Sequence, residues 1–171
     1  MFELLGGHDV RWADVSVFQV DERVAPEGDA DRNLTHLRAS LPDEAAGSIR
    51  PMPVTDEDLD AAAARYAASL PEALDLVHLG LGPDGHTASL VPGDPVLEVS
   101  DRLVAVTGAY QGRRRMTLTY AALAAAREIL WLVTGAEKRE ALAKLRAGDP
   151  SVPAGRVSAE RARVLATADV A

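Results

Sequence analysis

The run DLVHLGLGPDGHTASLVPG, residues 75–93, decides how the chain is read. Through Leu81 it is almost continuously apolar, the composition of a strand buried on both faces in a parallel sheet. It then breaks into Gly82, Pro83, Asp84, Gly85 and His86 before resuming in what reads as the start of a helix. In open α/β sheets ligands bind beyond the carboxyl ends of strands, where loops converge and helix N-termini turn their N–H groups outward. Residues 80–89 are expected at such a place.

Working outward, the same kind of apolar run recurs at VSVFQV (15–20), RLVAVTG (102–108), EILWLVT (128–134) and RVLAT (163–167), with a shorter one at IRPMPV (49–54). Between them lie helical patterns at DRNLTHLRASL (31–41), TDEDLDAAAARYAASL (55–70), TLTYAALAAAR (117–127) and AEKREALAKLRAG (136–148). Thr55 followed by Asp58 reads as a cap, and Gly148 with Pro150 as a stop. Strand and helix alternate, which predicts an α/β fold with helices covering a mainly parallel sheet. The Pro- and Gly-containing stretches at 42–53, 91–95 and 148–155 read as loops, so residues 1–171 are expected to form a single domain. The opening MFELLGG reads as the last turns of a helix closing on glycine with no strand before it, so that domain is expected to be missing its beginning.

At 171 residues and 47% apolar content the chain can bury a core. Its formal charge of −8 argues against a sequence-independent grip on nucleic acid and requires any attraction for an anionic substrate to be local. The absence of cysteine removes disulfides and thiolate metal sites and fits a reducing cytosol. No apolar run approaches the roughly 20 residues that cross a bilayer, and the N-terminus has neither a basic n-region nor an apolar h-region. A cytoplasmic protein without membrane or nucleic-acid partners is expected; the oligomeric state is open.

Gly80, Gly82 and Gly85 spell the dinucleotide-binding pattern G-x-G-x-x-G. The acidic residue that should follow about 20 positions on is absent, and Pro83 removes a backbone donor from the turn that would cradle a pyrophosphate. The glycines are better read as freeing a sharp turn that thrusts Asp84 and His86 into a cleft, since a neutral imidazole with a carboxylate nearby serves as a general base. Alone, Asp84-Gly85 is equally a turn and His86 an exposed helix start. A second polar group, Asp21, Glu22 and Arg23 at the end of VSVFQV, shifts the balance. Arg113, Arg114 and Arg115 precede one helical pattern, and Lys138 with Arg139 begins another; guanidinium forks and helix N-termini suit phosphate. His78 reads as a core residue, His8 and His36 as surface residues. No histidine pair has metal-ligand spacing, and no metal or cofactor is predicted.

Taken together, VSVFQVDERVAPEGDADRNLTHLRASL, the 75–93 segment, RRRMTLTYAALAAAREILWLVTGAEKREAL and the closing RVLATADVA resemble the 6-phosphogluconolactonase family. The resemblance implies a Rossmann-like α/β fold, shared with glucosamine-6-phosphate deaminases and ribose-5-phosphate isomerases, and metal-independent hydrolysis of 6-phosphoglucono-1,5-lactone in the pentose phosphate pathway. Carried over by motif, His86 is the general base and Asp84 its companion acid. Asp21 and Arg23 come from the D-E-R motif and Asn33 from DRNL, while Arg115 and Lys138 fall where the family has phosphate ligands. Asp84 or Asp21 holds the imidazole in its tautomer; the motif leaves both open. Family members also have an earlier strand and a glycine-rich G-G-S/R-T-P loop that this chain's opening does not match. The related deaminases continue their D-G-H turn as G-H-I-A-F-N-E-P, unlike GHTASLVP here. A non-catalytic sugar-phosphate binding module is the third reading.

Overall fold

In the computed structural model, which describes residues 8–158 and 160–170, the elements follow the expected alternation. They are β1 (Val17–Phe18), β2 (Asp21–Arg23), α1 (Asn33–Ser40), β3 (Ile49–Arg50), α2 (Leu59–Ser69), β4 (Val77–Gly80), β5 (Val104–Val106), β6 (Arg115–Leu118), α3 (Tyr120–Ala124), β7 (Ile129–Val133), α4 (Arg139–Ala147) and β8 (Ala162–Ala166). The opening MFELLGG lies outside the described residues.

The α/β class with parallel pairing holds. β7 runs parallel between β4 and β8, with Gly80 opposite Leu132 and Val133 opposite Ala166, and β1 pairs parallel with β3. The middle strand is the most apolar: Ile129, Trp131 and Val133 are buried and Leu130 and Leu132 half-buried, because neighbours on both edges leave it little contact with water. Val77 and Leu79 of β4 join the same core, as do Ala62, Ala63 and Tyr66 of α2 and Ala141, Leu142 and Leu145 of α4. Those helical positions recur at the three- and four-residue spacing of one apolar face.

Local chemistry sets the helix ends. Asp58 caps α2 by accepting from the Ala61 N–H at 2.9 Å, so the helix starts at Leu59 rather than at Thr55. Gly148, at φ 61°, stops α4 in the left-handed conformation that a side chain disfavours.

Three expectations are corrected. A third sheet, β2–β6–β5, is antiparallel, with Asp21 opposite Thr117, Arg23 opposite Arg115 and Val106 opposite Met116. The D-E-R segment is thus itself a strand, not a loop at a strand end, and VSVFQV is interrupted at Gln19 and Val20. The pattern at 117–127 is helical only over Tyr120–Ala124, because Arg115 to Thr119 are all buried, Thr117 and Leu118 join β6, where β-branched residues pack well, and Thr119 is left as the residue before the helix. No helix starts at His86: Thr87 and Leu90 bridge across a tight turn with Ala88 at φ 49°. No helix among the described residues is long and apolar enough to cross a membrane.

Candidate active site

Three glycines shape the turn after β4. The Gly82 N–H donates to the His86 carbonyl at 2.9 Å and the Gly85 N–H to the Gly82 carbonyl at 3.0 Å, while Thr87 Oγ1 ties the far side to the Gly80 carbonyl at 2.9 Å. Gly85 takes φ 80°, which only glycine adopts at little cost. Gly82 has no room for a Cβ: one placed there would overlap the His86 ring and the Asp84 carboxylate. That close approach folds Asp84 onto His86, Oδ1 lying 2.5 Å from Nδ1, and the same oxygen accepts from the His86 backbone N–H at 3.1 Å.

Burial alone would raise the Asp84 pKa, but hydrogen bonds from the His86 backbone and ring, with its charge and the Tyr110 hydroxyl, outweigh it and hold the carboxyl below the usual aspartate range. An ionised Asp84 can only accept, so its contact with the ring is made by an Nδ1–H, which in the neutral imidazole leaves Nε2 as the acceptor. His86 retains contact with solvent, its side chain being 23% exposed. Asp84, not Asp21, is the aspartate in contact with the imidazole.

Asp21 holds a different part of the site. Its carboxylate accepts from Ser89 Oγ at 2.7 Å and Asn33 Nδ2 at 2.9 Å, tying β2 to both the 82–90 turn and the first residue of α1. Burial, opposed by Ser89 and by the charges of Arg23 and Arg115, pushes its pKa up. Asn33 is thus spent on Asp21, donating also to its carbonyl at 3.0 Å.

Arg23 and Arg115 face each other across the β2–β6 ladder. Arg23 Nη1 donates to the Asp31 carbonyl at 2.6 Å, and Arg115 Nη2 reaches Gln111 Oε1 at 3.3 Å. The Nε of each is buried without a partner among the described residues. Burial first, and the Arg23 charge second, lower the Arg115 pKa, the behaviour of two cations confined together. The rest of the basic run divides by partner: Arg113 is bound to Asp29 and Asp31, whereas Arg114 is exposed.

Lys138 ends the short 3₁₀ turn after β7 and is half-buried. Since β4 and β7 are parallel neighbours, its loop leaves the same sheet edge as the Asp84–His86 turn. No hydrogen bond or ion pair among the described residues joins it to the other predicted residues. His78 lies in β4, half-buried, with burial lowering its pKa; His8 and His36 are exposed.

Sequence reasoning gave Glu22 no role of its own and missed Ser89, Tyr110 and Gln111. Glu22, 0% exposed, accepts from the N–H groups of Arg23, Asn33 and Leu34 at 2.7–2.9 Å and from Gln19 Nε2 at 3.0 Å, and pairs with Arg32 at 3.3 Å. It holds the start of α1 against β2. Ser89 binds Asp21. Tyr110 and Gln111 form the tip of the β5–β6 hairpin, where the Tyr110 hydroxyl donates to Asp84 Oδ2 at 3.3 Å. Gln111-Gly112 between two apolar runs was the signal for that hairpin.

The model of the family described as glucosamine-6-phosphate isomerases/6-phosphogluconolactonase matches residues 1–166. A 6-phosphogluconolactonase of Synechocystis is 36% identical over 158 residues, which cover 85% of this chain and 65% of that protein. One from Mycobacterium tuberculosis is 39% identical over 165 residues, covering 85% of this chain and 67% of its own length. The crystal structure of 6-phosphogluconolactonase from Thermotoga maritima superposes with a TM-score of 0.85 at 28% identity, over 96% of this chain and 78% of that one. The chain thus spans about 65% of the length of the Synechocystis relative. On the family match and these identities together, the chain belongs to the glucosamine-6-phosphate isomerase/6-phosphogluconolactonase family.

Proposed function

We propose that the protein hydrolyses 6-phosphoglucono-1,5-lactone to 6-phosphogluconate in the oxidative pentose phosphate pathway, with His86 as general base. The observation that carries this is the 2.5 Å contact of Asp84 Oδ1 with His86 Nδ1, which leaves Nε2 ready to accept a proton. The half-exposed dyad lies beside the buried Arg115 through Tyr110, which touches both. Nε2 takes a proton from water, the hydroxide adds to the C1 carbonyl, and the imidazolium, steadied by Asp84, returns the proton to the departing ring oxygen. Arg23 and Arg115 hold the phosphate; an anion between them relieves the repulsion of two confined cations and supplies acceptors for their buried Nε groups. Lys138 adds a third positive group from the same sheet edge. Asp21, with Asn33, keeps β2 in register with the catalytic turn.

The named lactonases among the relatives support this substrate, and the tail GHTASLVP departs from that of the deaminases. The same reading places one lactonase-like α/β domain in the cytoplasm, acting on a small sugar phosphate and not on nucleic acid or membrane, in keeping with the charge of −8. The test is loss of freshly made lactone followed against its spontaneous hydrolysis in chelator-containing buffer. Acceleration that survives chelation is expected. Binding of 6-phosphogluconate without acceleration would make the protein a binding module, and release of ammonia from glucosamine 6-phosphate would move it to the deaminases.

A further inference from the structure

Tyr110 stands where the two halves of the site meet. Its hydroxyl donates to Asp84 Oδ2, the carboxylate oxygen that His86 does not use. Its ring meets the His86 ring edge-on, with centroids 5.6 Å apart, and the Arg115 guanidinium lies over it at 5.0 Å. The Tyr110 carbonyl also faces Arg115 Nη2 at 3.5 Å.

The hairpin tip is built to hold this pose. Tyr110 and Arg113 exchange backbone hydrogen bonds at 3.0 and 3.3 Å around Gln111 and Gly112, both at positive φ (52° and 79°), the geometry of a two-residue type I′ turn. Gln111 is an unusual residue for that conformation, which is strained outside glycine and persists only where surrounding contacts impose it. Those contacts are at hand: the Gln111 side chain takes Arg115, and Arg113 clamps the tip to Asp29 and Asp31.

We infer that Tyr110 is a positioning residue that couples occupation of Arg115 by the substrate phosphate to the orientation of the Asp84–His86 dyad. The inference rests on the lactonase reading for its rate predictions, not for its binding predictions. Phosphate on Arg115 fixes the guanidinium against the ring, the ring fixes the hydroxyl, and the hydroxyl holds the free oxygen of Asp84 so that the other stays on His86. A sugar lactone without phosphate would leave this chain of contacts unengaged.

Two substitutions separate the links. Tyr110→Phe keeps the ring over Arg115 and deletes only the bond to Asp84, so kcat falls about tenfold, the value of one hydrogen bond to a charged group, while KM is unchanged. Tyr110→Ala removes the ring as well, so KM rises about fivefold on top of the same loss in kcat. Thermal melting of both variants verifies folding. Titration with inorganic phosphate, followed through the His86 ring resonances by NMR, tests the coupling without turnover. The parent's ring signals shift on phosphate addition, and Tyr110→Phe keeps the phosphate affinity but loses at least half of that shift. Equal kcat in Tyr110→Phe and parent, or an undiminished phosphate-induced shift in both variants, would overturn the inference. If the parent fails to accelerate lactone hydrolysis, the proposed function falls and the NMR titration still decides the coupling.

Discussion

Ser89 Oγ donates to Asp21 Oδ2 at 2.7 Å, a bond across 68 positions that joins the 82–90 turn to β2. The carboxylate that receives it is buried, and burial raises its pKa in the folded state above the unfolded value of 3.8. The folded protein therefore takes up this proton at higher pH than the unfolded chain. The resulting stabilisation is complete below pH 3.8 and is lost as pH rises through the folded value. Asp21→Asn cannot titrate. The melting temperature of the parent relative to Asp21→Asn should rise as pH is lowered from 7 to 4; a flat or falling difference would contradict the burial argument.

Glu22 is the strongest structural commitment in the D-E-R strand. Glu22→Gln removes the charge opposite the buried Arg32 and turns an all-acceptor group toward the N–H donors of α1 with only one oxygen. Breaking a buried pair in this way costs about 3 kcal/mol. Urea denaturation should show a lower midpoint with an unchanged slope, and a loss under about 0.5 kcal/mol would place Glu22 among ordinary surface carboxylates.

Gly82→Ala tests the shape of the turn. The new Cβ would drive the His86 ring off Asp84, a displacement on a solvent-facing loop that disturbs catalysis far more than stability. The expected result is a kcat lowered about 10²-fold, the scale of a misplacement of about 1 Å, with the melting temperature little moved. Gly80→Ala is the control, because a Cβ there meets nothing within 4 Å. Similar kinetics in both variants would show that Gly82 is not positioning the dyad.

Arg115→Ala removes one of the two facing guanidiniums. Substrate affinity should weaken by about 1.5 to 3 kcal/mol, the value of a charge-assisted contact to phosphate, and the change should appear in KM. Exposed Arg114, altered in the same way, should leave KM at the parent value. Equal effects at the two positions would mean that the attraction is a general field and not a site.

Much of this was legible in the sequence because strands buried in a parallel sheet, as β7 is between β4 and β8, have an unmistakable composition. ILWLV and the run through Leu79 could be little else. The antiparallel β2–β6–β5 sheet was not legible: its strands are three or four residues long, and TLTYAALAAA carries a helical pattern that overrides the strand signal of its first residues. Motif position picked out Asp84, His86, Arg23 and Arg115 as candidates, but not which aspartate touches the imidazole, a question of which Oδ lies within reach of Nδ1. Glu22 looked like the middle of a solvated charge run because, apart from the adjacent Arg23 N–H, its partners come from Gln19 and from the start of α1, up to twelve residues away. Tyr110 was hidden for the same reason, its partner Asp84 lying 26 positions upstream.

The central claim is that His86 moves the proton. His86→Gln keeps a similar shape and leaves Arg23, Arg115 and Lys138 untouched, so substrate binding should survive while kcat falls roughly 10²- to 10⁴-fold. The measurement is kcat and KM for parent and variant on fresh lactone, each corrected for spontaneous hydrolysis. The account predicts that large loss in kcat with KM nearly unchanged. A variant that retains kcat within about threefold of the parent, well below the range for a general base, would contradict it.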